Sequence, residues 1–257
     1  MQHLFRKQLN TAFISALASM QSFEAKAGVR IRQKRLHSAH MQEQSSRPEV
    51  LPYECIIPSA GLSRRMGTWK PLLEYRNRPL ILASVDNALS ACERVILVSG
   101  HRAEELEKLC EREYNASQRL ECIRNPQYER GMFSSIQAAA AHIRSSWFFV
   151  SLGDMPEIPK KLYFKLAEMA AQSDEYDIIR PVFQERPAHP VLLRHSVIKS
   201  IRSLPADANM QKVFRYHSSH SGQKVMEVPV DEPGSLFDID TPADLGLSDP
   251  HTDPQEE

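Results

Sequence analysis

The sequence predicts an α/β protein in three layers, with a mainly parallel sheet covered by helices on both faces. Continuously apolar runs of strand length alternate with amphipathic helical segments, a pattern typical of strands buried on both faces of a parallel sheet. The chain has 257 residues and is 42% hydrophobic. It is therefore long enough for one large domain or for one domain with tails.

The predicted elements follow each other in a regular order. Strands are predicted at 53–60, 94–100, 120–125, 147–154, 176–183, 190–195 and 224–230, and helices at 79–91, 103–113, 132–145 and 159–172. The segment DIDTPADL at 238–245 predicts a loop that opens a short helix, because Thr241 is a good N-cap and Pro242 suits the first turn. The alternation predicts one folded domain over 51–247.

The two ends of the chain differ from this body. Residues 1–40 hold seven basic residues and one acidic residue, with an A-x-A sequence at 25–27, which resembles a weak signal peptide or a transit peptide. The interpretation that we favour is a dispensable or misassigned leader; in the misassigned case, translation begins at Met41. We predict a mostly disordered leader or extension over 1–50 and a disordered acidic tail over 248–257.

Composition argues against several classes of function. The formal net charge is zero, so no nucleic-acid footprint is expected. No apolar run approaches the ~20 residues that span a membrane, so no membrane partner is expected. The cysteines form no C-x-x-C pair, and their largely apolar surroundings favour reduced thiols over a metal site or disulfides. They are Cys55, Cys92, Cys110 and Cys122.

Three unusual polar segments are predicted to meet at the carboxyl ends of the strands. They are the loop PSAGLSRRMGTWKPLL at 58–73, the pair Gly153-Asp154, and the segment 238–240. Ligands of open parallel sheets bind at that edge. The sequence therefore predicts a single binding site assembled from these three segments.

The first of these segments has the composition of a phosphate-binding loop. It lacks the Gly-Lys-Ser/Thr of a Walker A loop, and it does not match G-x-G-x-x-G. Gly61 allows backbone N–H groups to approach an anion closely, while Arg65 and Lys70 supply positive charge. An ordinary solvated basic turn is the alternative, and the buried strand directly before the loop argues against it.

The acidic residues of the other two segments suit a hard metal ion. Asp154 ends a predicted strand, where a carboxylate can hold Mg²⁺ together with phosphate oxygens; helix capping is the alternative. Asp240 is the expected second ligand, and Asp238 is expected to orient it. Asp244 fits a favourable charge in a first helical turn better than a ligand role.

Further candidates have weaker support. His189 is expected to contact an acceptor phosphate or a metal-bound water, with a structural histidine as a near-equal alternative. Ser134 and Ser135 begin a predicted helix whose N–H groups could meet ribose or phosphate, although an ordinary helix start fits equally well. His217 and His220 are predicted to be surface histidines.

Five motifs in order carry a resemblance to a known family. AGLSRRMGTWKPLL resembles the opening signature of the MobA-like nucleotidyltransferases, with Pro58 and Ser59 where Leu and Ala are commoner. The other four motifs are NPQYERGMFSSIQAA at 125–139, GDMP at 153–156, RPAHPVLL at 186–193 and DIDTPADL at 238–245. The resemblance covers 53–246 and is closest to the molybdenum cofactor cytidylyltransferase branch.

The resemblance implies a Rossmann-like fold of the nucleotide-diphospho-sugar transferase type and transfer of CMP from CTP to the terminal phosphate of the molybdopterin-type cofactor. It implies catalytic Arg65, Lys70 and Asp154, acceptor-binding His189, and Mg²⁺ on Asp154 and Asp240. The nucleotide-binding residues that it implies are Ala60, Gly61, Leu62, Ser63, Arg65, Lys70, Ser134, Ser135 and Asp154.

The same resemblance leaves two other functions open. One is a nucleotidyltransferase of the same fold that makes a nucleotide-sugar or nucleotide-alcohol. The other is a non-catalytic accessory protein that hands the cofactor to a molybdenum hydroxylase, whose apoenzyme would then be a partner. A reaction that consumes a nucleoside triphosphate belongs in the cytoplasm, which is the predicted location.

Overall fold

A computed structural model describes residues 50–61, 69–114 and 117–245. The predicted tail, and the predicted leader up to residue 49, lie outside the described residues. The described chain forms one eight-stranded sheet with the strand order β10-β7-β9-β6-β1-β4-β5, and β8 pairs with β7. These strands are β1 (Leu51–Pro58), β4 (Cys92–Ser99), β5 (Leu120–Arg124), β6 (Trp147–Val150), β7 (Tyr176–Phe183), β8 (Arg186–Pro187), β9 (Val191–Arg194) and β10 (Lys224–Pro229).

The sheet is mainly parallel, as predicted. β1 pairs in parallel with both β4 and β6, and β4 pairs in parallel with β5. β9 runs antiparallel between β6 and β7. A separate short hairpin of β2 (Glu74–Tyr75) and β3 (Arg78–Pro79) lies between the opening loop and the first helix.

Helices cover both faces, which confirms the three-layer architecture. Successive residues of β1 point to opposite faces, so Ile57 belongs to one core cluster and Ile56 to the other. On the side of Ile57 lie Leu80–Ala91, Ala103–Tyr114 and Lys160–Gln172. On the side of Ile56 lie Met132–Ala140, Val197–Ser203 and Met210–Ser221.

Two elements end earlier than predicted, for local reasons. The helix predicted to reach 145 ends at Ala140, because the N–H groups of Arg144 and Ser145 donate to the Glu54 carboxylate and leave the helical pattern. The strand predicted to reach 154 ends at Val150. Beyond it the chain turns, and the polar segment 153–154 is free to form a loop.

The prediction for His217 is wrong, whereas His220 is exposed as predicted. His217 is buried; its Nε2 lies 2.9 Å from Asp177 Oδ2 and its Nδ1 lies 3.0 Å from Ser200 Oγ. The helix Met210–Ser221 turns this side chain toward the core, where both ring nitrogens find partners. All four cysteines are free thiols. Among the described residues, no helix is long and apolar enough to cross a lipid bilayer.

Candidate active site

A cavity of about 510 Å³ opens at the carboxyl ends of β1 and β6. The residues that line it are Pro58, Ser59, Ala60, Gly61, Lys70, Pro71, Tyr128, Glu129, Gly131, Met132, Ser135, Leu152, Gly153, Asp154 and Asp240. All three polar segments singled out in the sequence therefore contribute to one cavity. Leu62, Ser63 and Arg65 lie outside the described residues.

Lys70 and two aspartates form the charged centre of this cavity. Lys70 Nζ lies 3.3 Å from Asp154 Oδ2 and also donates to Asp240 Oδ1. The Lys70 side chain is 11% exposed, and the two aspartates are 30% and 25% exposed. Two carboxylates thus face one cation position while both keep access to the cavity.

This arrangement suits a divalent metal ion. Mg²⁺ typically takes one or two protein carboxylates and completes its shell with water and phosphate oxygens, and Asp154 and Asp240 meet around the Lys70 ammonium. Within the described ranges, no cluster of three or more His, Cys, Asp or Glu residues forms a closed metal site. The donor set therefore fits a metal that arrives with a phosphorylated substrate.

The backbone links the two aspartates directly. Ile239 N–H donates to Asp154 O at 3.0 Å, and the Ile239 side chain is fully buried. The Asp244 carboxylate accepts hydrogen bonds from the N–H groups of Asp240 (3.0 Å) and Thr241 (2.7 Å). Hydrogen bonds from Thr241, and then from Asp240, lower the pKa of Asp244. Asp244 therefore holds the turn that presents Asp240.

The helix Leu80–Ala91 holds the loop that carries Asp154. Ser84 Oγ donates to Gly153 O at 3.0 Å, and Asn87 Nδ2 donates to Pro156 O. Residues three apart share one face of a helix, so Ser84 and Asn87 grip the loop on both sides of Asp154. Sequence reasoning missed both residues; two polar residues three apart in a largely apolar helix were the available signal.

The β2–β3 hairpin braces the same loop from outside. Tyr75 Oη and an Arg76 guanidinium N–H both donate to Glu157 Oε1. Burial, together with the Glu157 carboxylate, raises the pKa of Tyr75 to about 12. The phenol therefore keeps its proton and its donor role at neutral pH.

The two serines of the GMFSS segment separate into different roles. Asn125 Nδ2 donates to Ser134 Oγ (2.8 Å) and to Ser135 Oγ (3.0 Å). Ser134 Oγ is also bonded to Gly131 O at 2.7 Å, and it does not line the cavity, whereas Ser135 does. The geometry favours a structural role for Ser134 and keeps Ser135 available to a ligand.

His189 is not among the residues that line the cavity. Its backbone N–H donates to Ser235 O at 2.9 Å, and among the described residues its buried Nδ1 has no hydrogen-bond partner. Burial lowers the pKa of His189, although a hydrogen bond to the Val150 backbone and then the charges of Asp154 and Asp238 act in the opposite direction. The imidazole is therefore neutral near pH 7.

Comparisons with known proteins match this chain to one family. Residues 55–223 match the model of the MobA-like NTP transferase domain. The chain is 32% identical over 192 residues to the molybdenum cofactor cytidylyltransferase of Escherichia coli K12, covering 75% of this chain and 93% of that protein. It is 26% identical to a probable molybdenum cofactor guanylyltransferase of Natranaerobius thermophilus, covering 74% of this chain and 91% of that protein.

Solved structures agree in fold. Rv0371c from Mycobacterium tuberculosis superposes with a TM-score of 0.61 at 23% identity, covering 76% of this chain and 96% of that protein. A second structure of Rv0371c is a complex with manganese, with a TM-score of 0.55 at 19% identity, covering 70% and 89% of the two chains. The family model spans most of the sheet and the Asp154 loop, so this chain belongs to the MobA-like NTP transferase family and is a nucleotidyltransferase.

Proposed function

We propose that this nucleotidyltransferase transfers CMP from CTP to the terminal phosphate of the molybdopterin-type molybdenum cofactor and releases pyrophosphate. The observation that carries the proposal is the Lys70–Asp154–Asp240 cluster on a cavity of about 510 Å³. The choice of CTP and of the molybdenum cofactor rests on the Escherichia coli relative, which is named as a molybdenum cofactor cytidylyltransferase.

The reaction requires positioning and charge neutralisation more than proton transfer. A phosphate monoester oxygen attacks the α-phosphorus of CTP, a new P–O bond forms, and the bond to pyrophosphate breaks. The attacking oxygen is already anionic near neutral pH, so no general base is needed. Catalysis then depends on alignment and on electrostatic stabilisation of the transferring group.

Each predicted site residue has a place in this scheme. Asp154 and Asp240 would hold Mg²⁺, which supplies charge neutralisation between nucleotide and acceptor when bound. Lys70, together with Arg65, would stabilise charge on the β- and γ-phosphates. The backbone of Ala60 and Gly61, with Leu62 and Ser63, would receive the nucleotide, as would Ser135; Ser134 would act through Asn125.

His189 is assigned to the acceptor side. The charges of Asp154 and Asp238 act on its ring, and Asp154 is one of the two residues proposed to hold the metal. The acceptor phosphate would approach from this side because the nucleotide occupies the opening loop. The cytoplasm, where CTP is available, is the proposed location, and a molybdenum hydroxylase apoenzyme is the proposed recipient of the product.

A nucleotide panel tests the function. The protein is incubated with Mg²⁺, molybdenum cofactor and CTP, GTP, ATP or UTP, and pyrophosphate release is measured. The expected result is release with CTP that depends on the cofactor. Release only with GTP would overturn the base assignment. Release that requires a sugar phosphate or a phosphorylated alcohol would identify another transferase of this fold, and no release with any acceptor would favour a cofactor carrier.

A further inference from the structure

A second cavity of about 340 Å³ lies beside the first, at the carboxyl ends of β4 and β5. Its wall includes Gly100, Arg102, Arg124 and Asn125. Among the described residues, Tyr128 alone lines both cavities. The Tyr128 side chain therefore stands between the two spaces.

The strand order places Tyr128 at the end of the nucleotide cavity away from the metal site. Asp154 follows β6, Ala60 follows β1, and Gly100 follows β4, and these three strands are neighbours in that order. Neighbouring strands are about 4.8 Å apart, so β6 and β4 are separated by roughly 10 Å. The cavity therefore extends from Asp154, past Ala60, to Tyr128, and a nucleotide whose triphosphate lay near Lys70 and Asp154 would have its base at the Tyr128 end.

Close packing fixes the Cβ atom of the Tyr128 side chain. A Cβ at Gly100 would lie 2.6 Å from the Cβ atoms of both Ala60 and Tyr128, so glycine allows these two residues to close against β4. The Tyr128 ring also packs against His101, with ring centroids 6.3 Å apart. The Tyr128 side chain is therefore packed against Gly100 and His101, the two residues that follow β4.

The backbone of Tyr128 is held as well. Tyr128 begins the short 3-10 helix Tyr128–Arg130, and its carbonyl accepts the Gly131 N–H at 3.0 Å. Asn125 Oδ1 accepts the Gln127 N–H at 2.9 Å, and the same Asn125 side chain binds the serines of the next helix. Gly131 has φ +103°, a conformation that favours glycine. The turn that carries the Tyr128 ring is therefore held by hydrogen bonds on both sides.

We propose that Tyr128 closes the base end of the nucleotide cavity and makes the enzyme select a single-ring base. A pyrimidine would fit between Ala60 and the Tyr128 ring, whereas the second ring of a purine would need the space beyond Tyr128, which belongs to the second cavity. This inference rests on the proposed function, because it places the nucleotide in the first cavity. It adds the residue that decides between pyrimidine and purine.

The test compares Tyr128→Ala with Tyr128→Phe. Tyr128→Ala joins the two cavities, and we expect the ratio of kcat/KM for GTP or ATP to that for CTP to rise at least ~10-fold, within the range that pocket shape provides. Tyr128→Phe keeps the ring and should leave the ratio within about twofold. Thermal unfolding verifies that each variant is folded, and Tyr128→Val takes the place of an unfolded Tyr128→Ala.

Binding of CTP and GTP without an acceptor, measured by calorimetry in the presence of Mg²⁺, separates the two proposals. A wild-type protein that binds CTP over GTP but transfers nothing to the molybdenum cofactor contradicts the proposed reaction and leaves the role of Tyr128 testable. A folded Tyr128→Ala variant with the wild-type ratio of CTP to GTP affinity overturns the role of Tyr128. A Tyr128→Phe variant that relaxes selectivity as much as Tyr128→Ala also overturns it, because the ring would then not be the barrier.

Discussion

The two ends of β1 each meet a cluster of carboxylates around one basic side chain, and the clusters differ in what surrounds them. At the amino end, Arg94 donates to both Glu54 and Glu121. At the carboxyl end, Lys70 donates to both Asp154 and Asp240. The charge pattern is the same, two acids and one base, but the second cluster lines the cavity of about 510 Å³, whereas Arg94, Glu54 and Glu121 line neither of the two cavities described above.

The amino-end cluster is satisfied by the protein itself. The Glu54 side chain is 7% exposed, and its Oε2 accepts the N–H groups of Arg144 (2.6 Å) and Ser145 (2.8 Å) as well as the Ser145 hydroxyl (3.0 Å). Glu121 Oε1 also lies 2.7 Å from His142 Nδ1. A buried charge with this many donors is a structural element.

The carboxyl-end cluster keeps its acids accessible to a ligand. Asp154 and Asp240 are several times more exposed than Glu54, and their positions are set through backbone atoms, by Ile239 and by Asp244. The comparison teaches that charge composition does not distinguish a site from a structural network. The two are distinguished by whether the carboxylates have access to a cavity while backbone hydrogen bonds hold them in place.

The largest expected effect is at the cluster of Lys70, Asp154 and Asp240, at the carboxyl end of β1. Asp154→Ala or Lys70→Ala should lower kcat about 1000-fold, or ~4 kcal/mol, because each removes charge from the site of transfer. Pyrophosphate release measures the loss, and circular dichroism checks the fold. Asp207→Ala, at an exposed turn, is the control and should keep full activity. Activity within tenfold of wild type would remove the role assigned to that residue.

Substitutions in the amino-end cluster should change the free energy of unfolding and leave kcat unchanged. Arg94→Met leaves Glu54 and Glu121 without their shared cation and should lower the free energy of unfolding by about 3 kcal/mol, with kcat unchanged. Urea denaturation measures this. The matched control is Arg112→Met. Arg112 is 70% exposed and pairs with Glu113 at the surface, so this substitution should lower the free energy of unfolding by less than ~0.5 kcal/mol. Equal effects of the two variants would contradict the distinction.

The same cluster predicts a dependence of stability on pH. Burial by itself raises the pKa of Glu54, but hydrogen bonds from Arg144 and Ser145 and the charge of Arg94 bring it below its ordinary value of 4.5. The stability contributed by Glu54 is therefore present above pH 4.5 and lost as pH falls through the lower folded pKa. The free energy of unfolding, measured between about pH 6 and about pH 3, should fall less for Glu54→Gln than for wild type. Parallel curves would contradict this.

The smallest effect sharpens how Asp154 is held. Ser84→Ala removes the hydrogen bond to Gly153 O, worth about 1 kcal/mol, and should raise the apparent Kd for Mn²⁺ roughly fivefold. Ser90→Ala is the matched control, because the bond of Ser90 Oγ among the described residues stays within its own helix, to Asn87 O at 2.6 Å. Electron paramagnetic resonance of free Mn²⁺ measures both variants. The same Kd for both would mean that Ser84 does not position Asp154.

Much of this site could be predicted because the residues that form it interrupt strong local patterns. Asp154 follows an apolar run closely, and Lys70 lies in the loop that follows another apolar run; a parallel sheet brings such positions to one edge. Asp240 was predicted as the partner of Asp154, and the structure brings both to Lys70. Ser84 and Asn87 could not be predicted with the same force, because a polar residue in a helix is usually exposed and no local pattern says which loop will lie against it.

Local periodicity and polar breaks in apolar runs are enough to predict the alternation of strands and helices, the sheet edge at which the cavity opens, and the charged residues that reach it. Contacts in the folded chain were needed to show that His217 is buried against Asp177, that Ser134 bonds to Asn125 while Ser135 lines the cavity, and that Tyr128 lines two cavities. Each of these depends on contacts between segments distant in the chain, and one-dimensional periodicity carries no record of which distant surfaces meet.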